Sequence, residues 1–194
     1  EVSVVGVGCN QFGGRCDREQ TRAVVHAAID VGITLFDTSN SYGEAGRSEE
    51  YLGAALQGRR DEVVVATKFA SRMAEGPMQV GGSRRHILQA VEDSLRRLQT
   101  DYIGLYQMHR PDPGTPIEET LATLDLLVQQ GKVRYLGHSN FAGWQIAAAD
   151  AAAGRTNVTT FISAQNAYSL LDRGVETEVI PACEAFGLSL LPYF

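Results

Sequence analysis

Short apolar runs alternate with amphipathic stretches along this sequence. Runs rich in Val, Ile and Leu predict strands, and stretches whose apolar residues recur at helical spacing predict helices. The predicted strands are residues 2–8, 33–36, 63–67, 102–108, 133–137, 161–164 and 188–191. The predicted helices are residues 17–31, 47–57, 84–98, 116–130, 142–153 and 173–186. Strands and helices therefore follow one another in regular alternation.

Local signals mark several of these boundaries. Ser83 is placed to cap helix 84–98. The segment Thr115-Pro116-Ile117-Glu118 combines a capping Thr, a Pro at the first helical position and a Glu, which predicts a capping box for helix 116–130. His26 and His86 fall on helices and are predicted to lie at the surface. Residues 69–82 contain Gly and Pro without periodicity, which predicts a loop long enough to be functional.

The alternation predicts a parallel sheet with right-handed crossovers, which both a doubly wound open sheet and a (β/α)8 barrel satisfy. The polar residues favour the barrel, because predicted strands two to seven each end in a polar or hydrogen-bonding group, as on a barrel's carboxyl face. These groups are Asp37, Lys68, His109, Asn140, Gln165 and Tyr193. Nothing like GxGxxG follows the first strand, which counts against an open dinucleotide-binding sheet. The sequence therefore predicts one α/β domain over residues 1–194, a (β/α)8 TIM barrel with seven strands and without its last βα unit.

Composition narrows the functional classes. The chain has 194 residues, of which 44% are hydrophobic and 21% charged, as in soluble globular proteins. Its net charge of −6 argues against a nucleic-acid-binding surface. Three cysteines, Cys9, Cys16 and Cys183, lack CxxC spacing, so neither a disulfide framework nor a metal site is predicted, and a cytoplasmic location is expected. No apolar stretch approaches the length of a membrane span, so no membrane partner is expected.

Four side chains are candidates for proton chemistry: Asp37, Tyr42, Lys68 and His109. A free tyrosine has a pKa of about 10, and a nearby ammonium lowers it, so Lys68 is expected to make Tyr42 a general acid. Asp37 is expected to hold Lys68 charged and oriented, and His109 to hydrogen-bond a substrate carbonyl. Each side chain also has a structural alternative, because a Lys at a strand end is commonly a surface residue and a loop His commonly packs. Three different ionisable types closing three successive strands favour a site.

These residues belong to motifs that resemble the aldo-keto reductase superfamily over essentially the whole chain. The motifs are Asp37-Thr38 with Tyr42-Gly43, Ala66-Thr67-Lys68, His109, Gly137-His138-Ser139-Asn140 and Gln165-Asn166. The resemblance is greatest to the bacterial branch related to the potassium-channel β subunits, judging from the helix containing Glu118 and the segment around Tyr168.

The resemblance implies reduction of an aldehyde or ketone to an alcohol with hydride from NADPH, NADH not being excluded. It implies Tyr42 as the general acid, Lys68 and Asp37 as residues that tune its pKa, and His109 as the residue that orients the carbonyl. Ser139, Asn140 and Gln165 would bind the nicotinamide carboxamide and Tyr193 would stack on its ring. Asp37 would also belong to the cofactor site, and the turn at Gly14, where the backbone can approach a ligand closely, is a further candidate. The family uses no metal.

The resemblance also implies segments beyond the seventh strand that bind the rest of the cofactor and close the barrel. We therefore expect the chain to be part of a longer protein, because a seven-stranded sheet leaves two edges exposed. Two functional alternatives remain at this stage. The leading one is a carbonyl reductase acting on a small molecule, and the alternative is an NADP(H)-binding regulatory subunit of a partner protein with slow or no turnover.

Overall fold

The computed structural model describes residues 1–76 and 79–194. Its strands are β1 Gly6–Gly8, β2 Leu35–Asp37, β3 Val64–Phe69, β4 Ile103–Met108, β5 Val133–Ser139, β6 Ser163–Ala167 and β7 Ser189–Tyr193. Its α-helices are α1 Arg18–Asp30, α2 Tyr42–Ala55, α3 Arg84–Leu98, α4 Ile117–Gln129, α5 Gly143–Thr156 and α6 Val179–Phe186. Short 3-10 helices occupy Arg60–Glu62 and Gly174–Glu176. Residues 77–78 of the predicted loop 69–82 lie outside the described residues.

The strands form one parallel sheet in which each strand pairs with its neighbours in sequence, in the order β1 to β7. Residues of β1 and of β7, which lie at opposite ends of this order, line one cavity, and this shows that the sheet curls. Val7 and Gly8 line it from one side and Leu191 and Tyr193 from the other. The architecture is an incomplete (β/α)8 barrel, which confirms the predicted fold class.

Alternate residues of the central strands divide between the barrel interior and the layer beneath the helices. All of β4 is buried, and Gln107 faces the interior while Tyr106 and Met108 join the hydrophobic core. Ile87 and Val91 of α3 and Leu121 of α4 are fully buried in the same core. The core therefore lies between sheet and helices, and the barrel interior is left to polar side chains at its carboxyl end.

Most predicted boundaries are confirmed, and the cap of α3 is the clearest case. Ser83 accepts a hydrogen bond from the backbone N–H of His86, and the helix spans Arg84–Leu98. The predicted capping box of α4 is wrong. Pro116 is the residue before the first turn, and the Thr115 hydroxyl donates instead to Asp112 Oδ2 at 2.8 Å. Because Pro116 occupies the N-cap position, Thr115 lies one residue too early for its hydroxyl to accept a hydrogen bond from the first turn.

Two further expectations about secondary structure need correction. The first strand begins at Gly6 because β2 offers only Leu35–Asp37 for pairing; residues before it, such as Val4, are exposed. Predicted helix 173–186 is divided, because Pro181 has no N–H with which to continue a helix back to Thr177.

The two helical histidines are not at the surface as predicted. His86 is 3% exposed, because it lies on the face of α3 that packs inward with Ile87 and Ala90. His26 is half-buried and its Nε2 is 3.0 Å from the carbonyl oxygen of Ala55. Among the residues described, no helix is both long and apolar enough to cross a membrane.

Candidate active site

The carboxylate of Asp37 stands at the centre of the polar groups in the barrel interior. Its Oδ2 accepts a 2.5 Å hydrogen bond from Lys68 Nζ. Its Oδ1 accepts hydrogen bonds from Gln107 Nε2 at 3.0 Å and from Gln165 Nε2 at 3.1 Å. We call these four residues the inner cluster. They come from β2, β3, β4 and β6, so one carboxylate ties together four strands.

Lys68 is fully buried, which no surface lysine could be. The β3–β4 register places it beside Gln107, and its ammonium donates to Asp37 and, at 2.9 Å, to the carbonyl of Thr38. A buried ammonium is stable only when it is paired in this way. The alternative of a snorkelling surface lysine is therefore excluded, and the expectation that Asp37 orients Lys68 agrees with this ion pair.

Tyr42 follows β2, and an unusual piece of backbone comes directly after it. Gly43, Glu44, Ala45 and Gly46 all have positive φ, and regular helical geometry in α2 begins only at Arg47. Residues other than Gly rarely adopt this conformation, so packing must hold it. Built on Gly43, a Cβ would lie 2.5 Å from the carbonyl oxygen of Phe12, so only glycine fits there.

The Lys68 ammonium lies 5.1 Å from the centroid of the Tyr42 ring. Burial raises the pKa of the Tyr42 phenol, and the Lys68 charge opposes this effect only in part. The expected contribution of Lys68 thus has the predicted sign, but the predicted net lowering of the Tyr42 pKa is wrong, because desolvation is the larger effect. In this environment Tyr42 keeps its proton at neutral pH.

His109 lies beside Tyr42, with the two rings edge to face and their centroids 5.8 Å apart. Its Nδ1 is 3.2 Å from Ser39 Oγ and 3.0 Å from Ser71 Oγ. Burial, with the positive charges of Lys68 and Arg110, lowers the pKa of His109 to about 4. The imidazole is therefore neutral at physiological pH, and one of its nitrogens carries a hydrogen that it can donate.

The predicted cofactor residues of β5 to β7 lie together on the same rim. Asn140 Nδ2 donates to the carbonyl of His109 at 3.0 Å, and Asn140 Oδ1 accepts from the Tyr193 hydroxyl at 2.6 Å. Ser139 Oγ donates to the backbone carbonyl of Gln165 at 2.8 Å. Asn140 has a φ of +60°, a conformation that Asn adopts more readily than most residues. His109 is thus physically linked to the predicted cofactor residues.

A central cavity of about 950 Å³ opens at this rim. Its lining includes the predicted site residues Asp37, Tyr42, His109, Ser139, Asn140, Gln165 and Tyr193. Lys68 lies beneath this surface, bonded to Asp37. Gly14 is not among the lining residues; it lies in an exposed turn, where its N–H donates to the Gln11 carbonyl. The structure brings together every predicted site residue except Gly14.

The donor set on the rim fits the nicotinamide end of a dinucleotide. A carboxamide needs both donors and acceptors, and Ser139, Asn140 and Gln165 supply hydroxyl and amide groups of both kinds. Tyr193 adds a half-buried aromatic ring beside them. Asn166, the next residue of the same strand, does not line the cavity, and its Nδ2 donates instead to the carbonyl of Phe141 at 3.1 Å.

Sequence reasoning missed a second set of buried polar residues, which lies between the strand ends and helices α2 and α3. Thr38 and Ser48 share a 2.8 Å hydrogen bond, and Ser48 also donates to the carbonyl of Cys9. Glu49 accepts from Thr67 Oγ1 at 2.5 Å and from Arg97 Nε at 2.7 Å. We call Thr38, Ser48, Glu49, Thr67 and Arg97 the outer cluster.

Gln107 was also missed, because a single polar residue in an apolar strand gives no signal of its function. Glu49 and Arg97 were missed for another reason. They are 48 positions apart, and each resembles the charged residues that ordinarily face solvent on an amphipathic helix. The signal that could have suggested them is the serine and glutamate following the Gly46-Arg47 turn, at the point where α2 faces the sheet.

Comparison with known proteins agrees with this architecture. The model of the Aldo/keto reductase family matches residues 4–194. The chain is 40% identical over 202 residues to "Uncharacterized oxidoreductase YrpG" of Bacillus subtilis, an alignment that covers 99% of this chain and 62% of that protein. It is 39% identical over 199 residues to "Aldo-keto reductase YhdN" of the same organism, which covers 100% of this chain and 58% of the relative.

A further relative is a "Probable voltage-gated potassium channel subunit beta" of Oryza sativa, 36% identical over 183 residues, with 92% of this chain and 55% of that protein covered. The chain thus spans roughly six-tenths of the length of these relatives. The family match extends over nearly all of the chain, and the curled parallel sheet is the fold that the motifs predicted. The chain belongs to the Aldo/keto reductase family.

Proposed function

We propose that the protein reduces a small aldehyde or ketone to an alcohol with NADPH. The observation that supports this most strongly is the convergence of Tyr42, Lys68 and His109 around Asp37 beside one cavity. A proton donor, a charge that stabilises its conjugate base, and a neutral hydrogen-bond donor are the groups that carbonyl reduction requires from a protein.

In the proposed mechanism, His109 fixes the carbonyl oxygen next to the Tyr42 hydroxyl. Tyr42 donates its proton to that oxygen as negative charge develops there, which yields the alcohol. The phenolate left behind lies near the Lys68 ammonium, whose charge Asp37 holds in place. The raised pKa of Tyr42 keeps the acid loaded with its proton, and Lys68 makes its loss during reaction less costly.

Ser139, Asn140 and Gln165 would hold the nicotinamide carboxamide, and Tyr193 would cover its ring. When bound, NADPH supplies the hydride that is added to the carbonyl carbon. NADPH rather than NADH is proposed from the family resemblance, and a cytoplasmic location from the cysteine pattern. The role of Gly14 as a cofactor contact stays a prediction, and so does the assignment of residues 1–194 to one domain.

The decisive experiment measures NADPH oxidation by the full-length protein with a panel of small aldehydes, before and after the substitution Tyr42→Phe. We expect kcat to fall by roughly 10²- to 10⁴-fold, because the general acid is lost. The dissociation constant for NADPH should change little. Tyr135→Phe is the matched control, because Tyr135 is 57% exposed on β5. If Tyr42→Phe reduces aldehydes at the parent rate, Tyr42 is not the acid.

A second candidate function is that of a regulatory subunit that binds NADP(H) and a partner protein. The 36% identical relative named as a probable potassium channel β subunit favours it. The two functions predict different results with the same assay. Tight NADPH binding without turnover of any aldehyde in the panel would support the regulatory subunit, whereas turnover that depends on Tyr42 supports the reductase.

A further inference from the structure

The Nδ1 atom of His109 lies close to two serine hydroxyls, from different parts of the chain. Ser39 belongs to the segment after β2 and Ser71 to the loop after β3, and their Oγ atoms are 3.2 and 3.0 Å from Nδ1. Neither serine was singled out by its sequence context. Since His109 is one of the residues that line the central cavity, what occupies Nδ1 decides what its other nitrogen, Nε2, can offer there.

The backbone around Ser71 is shaped to bring it to this position. Ala70 has a φ of +76°, a left-handed conformation that is costly for a residue with a side chain. Its carbonyl accepts the N–H of Gly81 at 3.2 Å, and the carbonyl of Phe69 accepts the N–H of His109 at 3.0 Å. The loop therefore turns sharply out of β3 and is tied on both sides of the bend. Strain of this kind persists only where the surroundings hold it.

The two serines are not equivalent as donors. Ser39 Oγ is also 3.1 Å from Ser41 Oγ and 3.4 Å from Asn40 Oδ1, an atom that can only accept. The single hydrogen of Ser39 is therefore shared among competing acceptors. Ser71 Oγ has His109 Nδ1 as its one hydrogen-bond partner within the described part of the chain. Ser71 thus has a hydrogen available for Nδ1.

We propose that Ser71 is a positioning residue that donates to Nδ1 of His109 and confines the neutral ring to the tautomer with its hydrogen on Nε2. In that tautomer Nε2 offers an N–H to the cavity. In the other tautomer Nε2 would present a lone pair, which repels the oxygen of a carbonyl substrate. The catalytic consequence rests on the proposed function, in which His109 binds that oxygen, but the tautomer itself does not.

The direct test is a long-range proton–nitrogen correlation spectrum of the full-length protein with labelled histidine, the His109 signals being assigned by their loss in His109→Gln. We expect the parent to show a protonated Nε2 and an unprotonated Nδ1. Ser71→Ala should give a mixture of tautomers, and Ser71→Thr, which retains a hydroxyl, should restore the parent pattern. A parent ring protonated at Nδ1, or an unchanged tautomer in Ser71→Ala, would overturn the proposal.

The kinetic counterpart uses the aldehyde assay. Ser71→Ala should lower kcat/KM by about tenfold, the value of one well-placed hydrogen bond, with Ser71→Thr close to the parent. Ser83→Ala is the matched control, because Ser83 follows the same loop and its hydroxyl caps α3 without touching His109. It should lower the thermal midpoint while leaving kcat/KM close to that of the parent.

The two readouts separate this inference from the proposed function. If the tautomer shifts in Ser71→Ala but neither Tyr42 nor His109 matters for aldehyde reduction, the proposed function fails and the role of Ser71 stands. If reduction depends on Tyr42 and His109 while Ser71→Ala leaves the tautomer unchanged, the inference about Ser71 fails alone.

Discussion

Two buried ion pairs, Lys68–Asp37 and Arg97–Glu49, lie on opposite sides of the same strands, and they differ in whether they can be reached from the central cavity. In the inner cluster Lys68 is fully buried, but 20% of the Asp37 side chain is exposed, toward the central cavity. In the outer cluster Glu49 is fully buried and Arg97 is 12% exposed beneath α2 and α3. One pair therefore borders a site that a ligand can enter, whereas the other is closed by packing.

The two clusters are connected through adjacent residues of the backbone. Asp37 of the inner cluster is followed directly by Thr38 of the outer cluster. Likewise, Thr67 of the outer cluster is followed directly by Lys68 of the inner cluster. Because a buried ion pair contributes little net stability, the outer cluster is better explained by what it positions. It holds α2, which begins at Tyr42, against the strands that present Asp37 and Lys68.

The largest effect should come from breaking the inner pair. Lys68→Met removes the charge that favours the Tyr42 phenolate, so we expect a roughly thousandfold loss of kcat for aldehyde reduction. Lys132→Met is the matched control, because Lys132 forms an ion pair with Glu92 at the surface. Steady-state kinetics on both variants test this. A Lys68→Met variant with kcat near that of the parent would show that the inner cluster is only structural.

Breaking the outer pair should act on stability instead. Arg97→Met leaves the buried Glu49 carboxylate without its charged partner, and we expect a loss of about 3–5 kcal/mol in the free energy of unfolding at neutral pH. Urea denaturation measures it. Arg155→Met is the control: the Arg155–Glu118 pair is exposed, so its loss should cost at most about 1 kcal/mol.

The direction in which the Glu49 pKa is shifted predicts how the loss of stability in Arg97→Met depends on pH. Burial raises the pKa of Glu49 above its ordinary value even with Arg97 present, so the folded state binds this proton more tightly than the unfolded state does. The Glu49 carboxyl therefore stabilises the folded state at pH values below its pKa in the unfolded chain. This contribution is lost as the pH rises through its pKa in the folded protein. The deficit of Arg97→Met should therefore shrink as pH falls. A deficit that grows toward acid pH would contradict this account.

A smaller effect should come from the turn that joins the two regions. Gly46 has a φ of +102°, and a Cβ there would collide with the Arg97 guanidinium. We expect Gly46→Ala to cost about 2–3 kcal/mol and to lower kcat, because the displaced turn follows directly after Tyr42. Gly58→Ala is the control, with a φ of +79° but open space at the Cβ position. Equal losses in the two variants would show that packing against Arg97 contributes nothing.

The comparison also shows how far the sequence could predict this molecule. Asp37, Lys68 and His109 were predictable because each closes an apolar strand, and parallel strands bring their carboxyl ends to one rim. Gln107 and the Glu49–Arg97 pair were not, because their partners are distant in sequence. The left-handed turn is equally hidden, since Glu44 and Ala45 are ordinary helix residues that only tertiary packing holds at positive φ.

The pKa of Tyr42 was predicted to be lowered but is raised, and the reason is related. The sequence suggests which charges will be neighbours, but it does not tell how deeply a phenol will be buried, and here burial outweighs the charge. The same limit applies to His86, whose helical position was predictable while its inward direction was not.

The smallest effect concerns the pH dependence of the proposed reductase activity in the parent protein. Burial, Lys68 and Arg110 together lower the pKa of His109 to about 4, so the ring stays neutral well below its ordinary pKa of about 6.5. We therefore expect kcat/KM for aldehyde reduction to change by no more than about twofold between about pH 7 and pH 5. A histidine with an ordinary pKa would lose more than about tenfold over that range.

A second variant for this prediction is Arg110→Gln, which removes an exposed charge on the cavity lining that helps to lower the pKa of His109. In this variant the fall of kcat/KM at acid pH should begin slightly closer to neutral pH, because one positive charge that repels the protonated His109 ring is gone. An acid limb near pH 6.5 in the parent that disappears in His109→Gln would show that His109 is more solvated than its burial implies. His109 would then belong on the solvent side of the cavity and not among the buried groups next to the inner cluster.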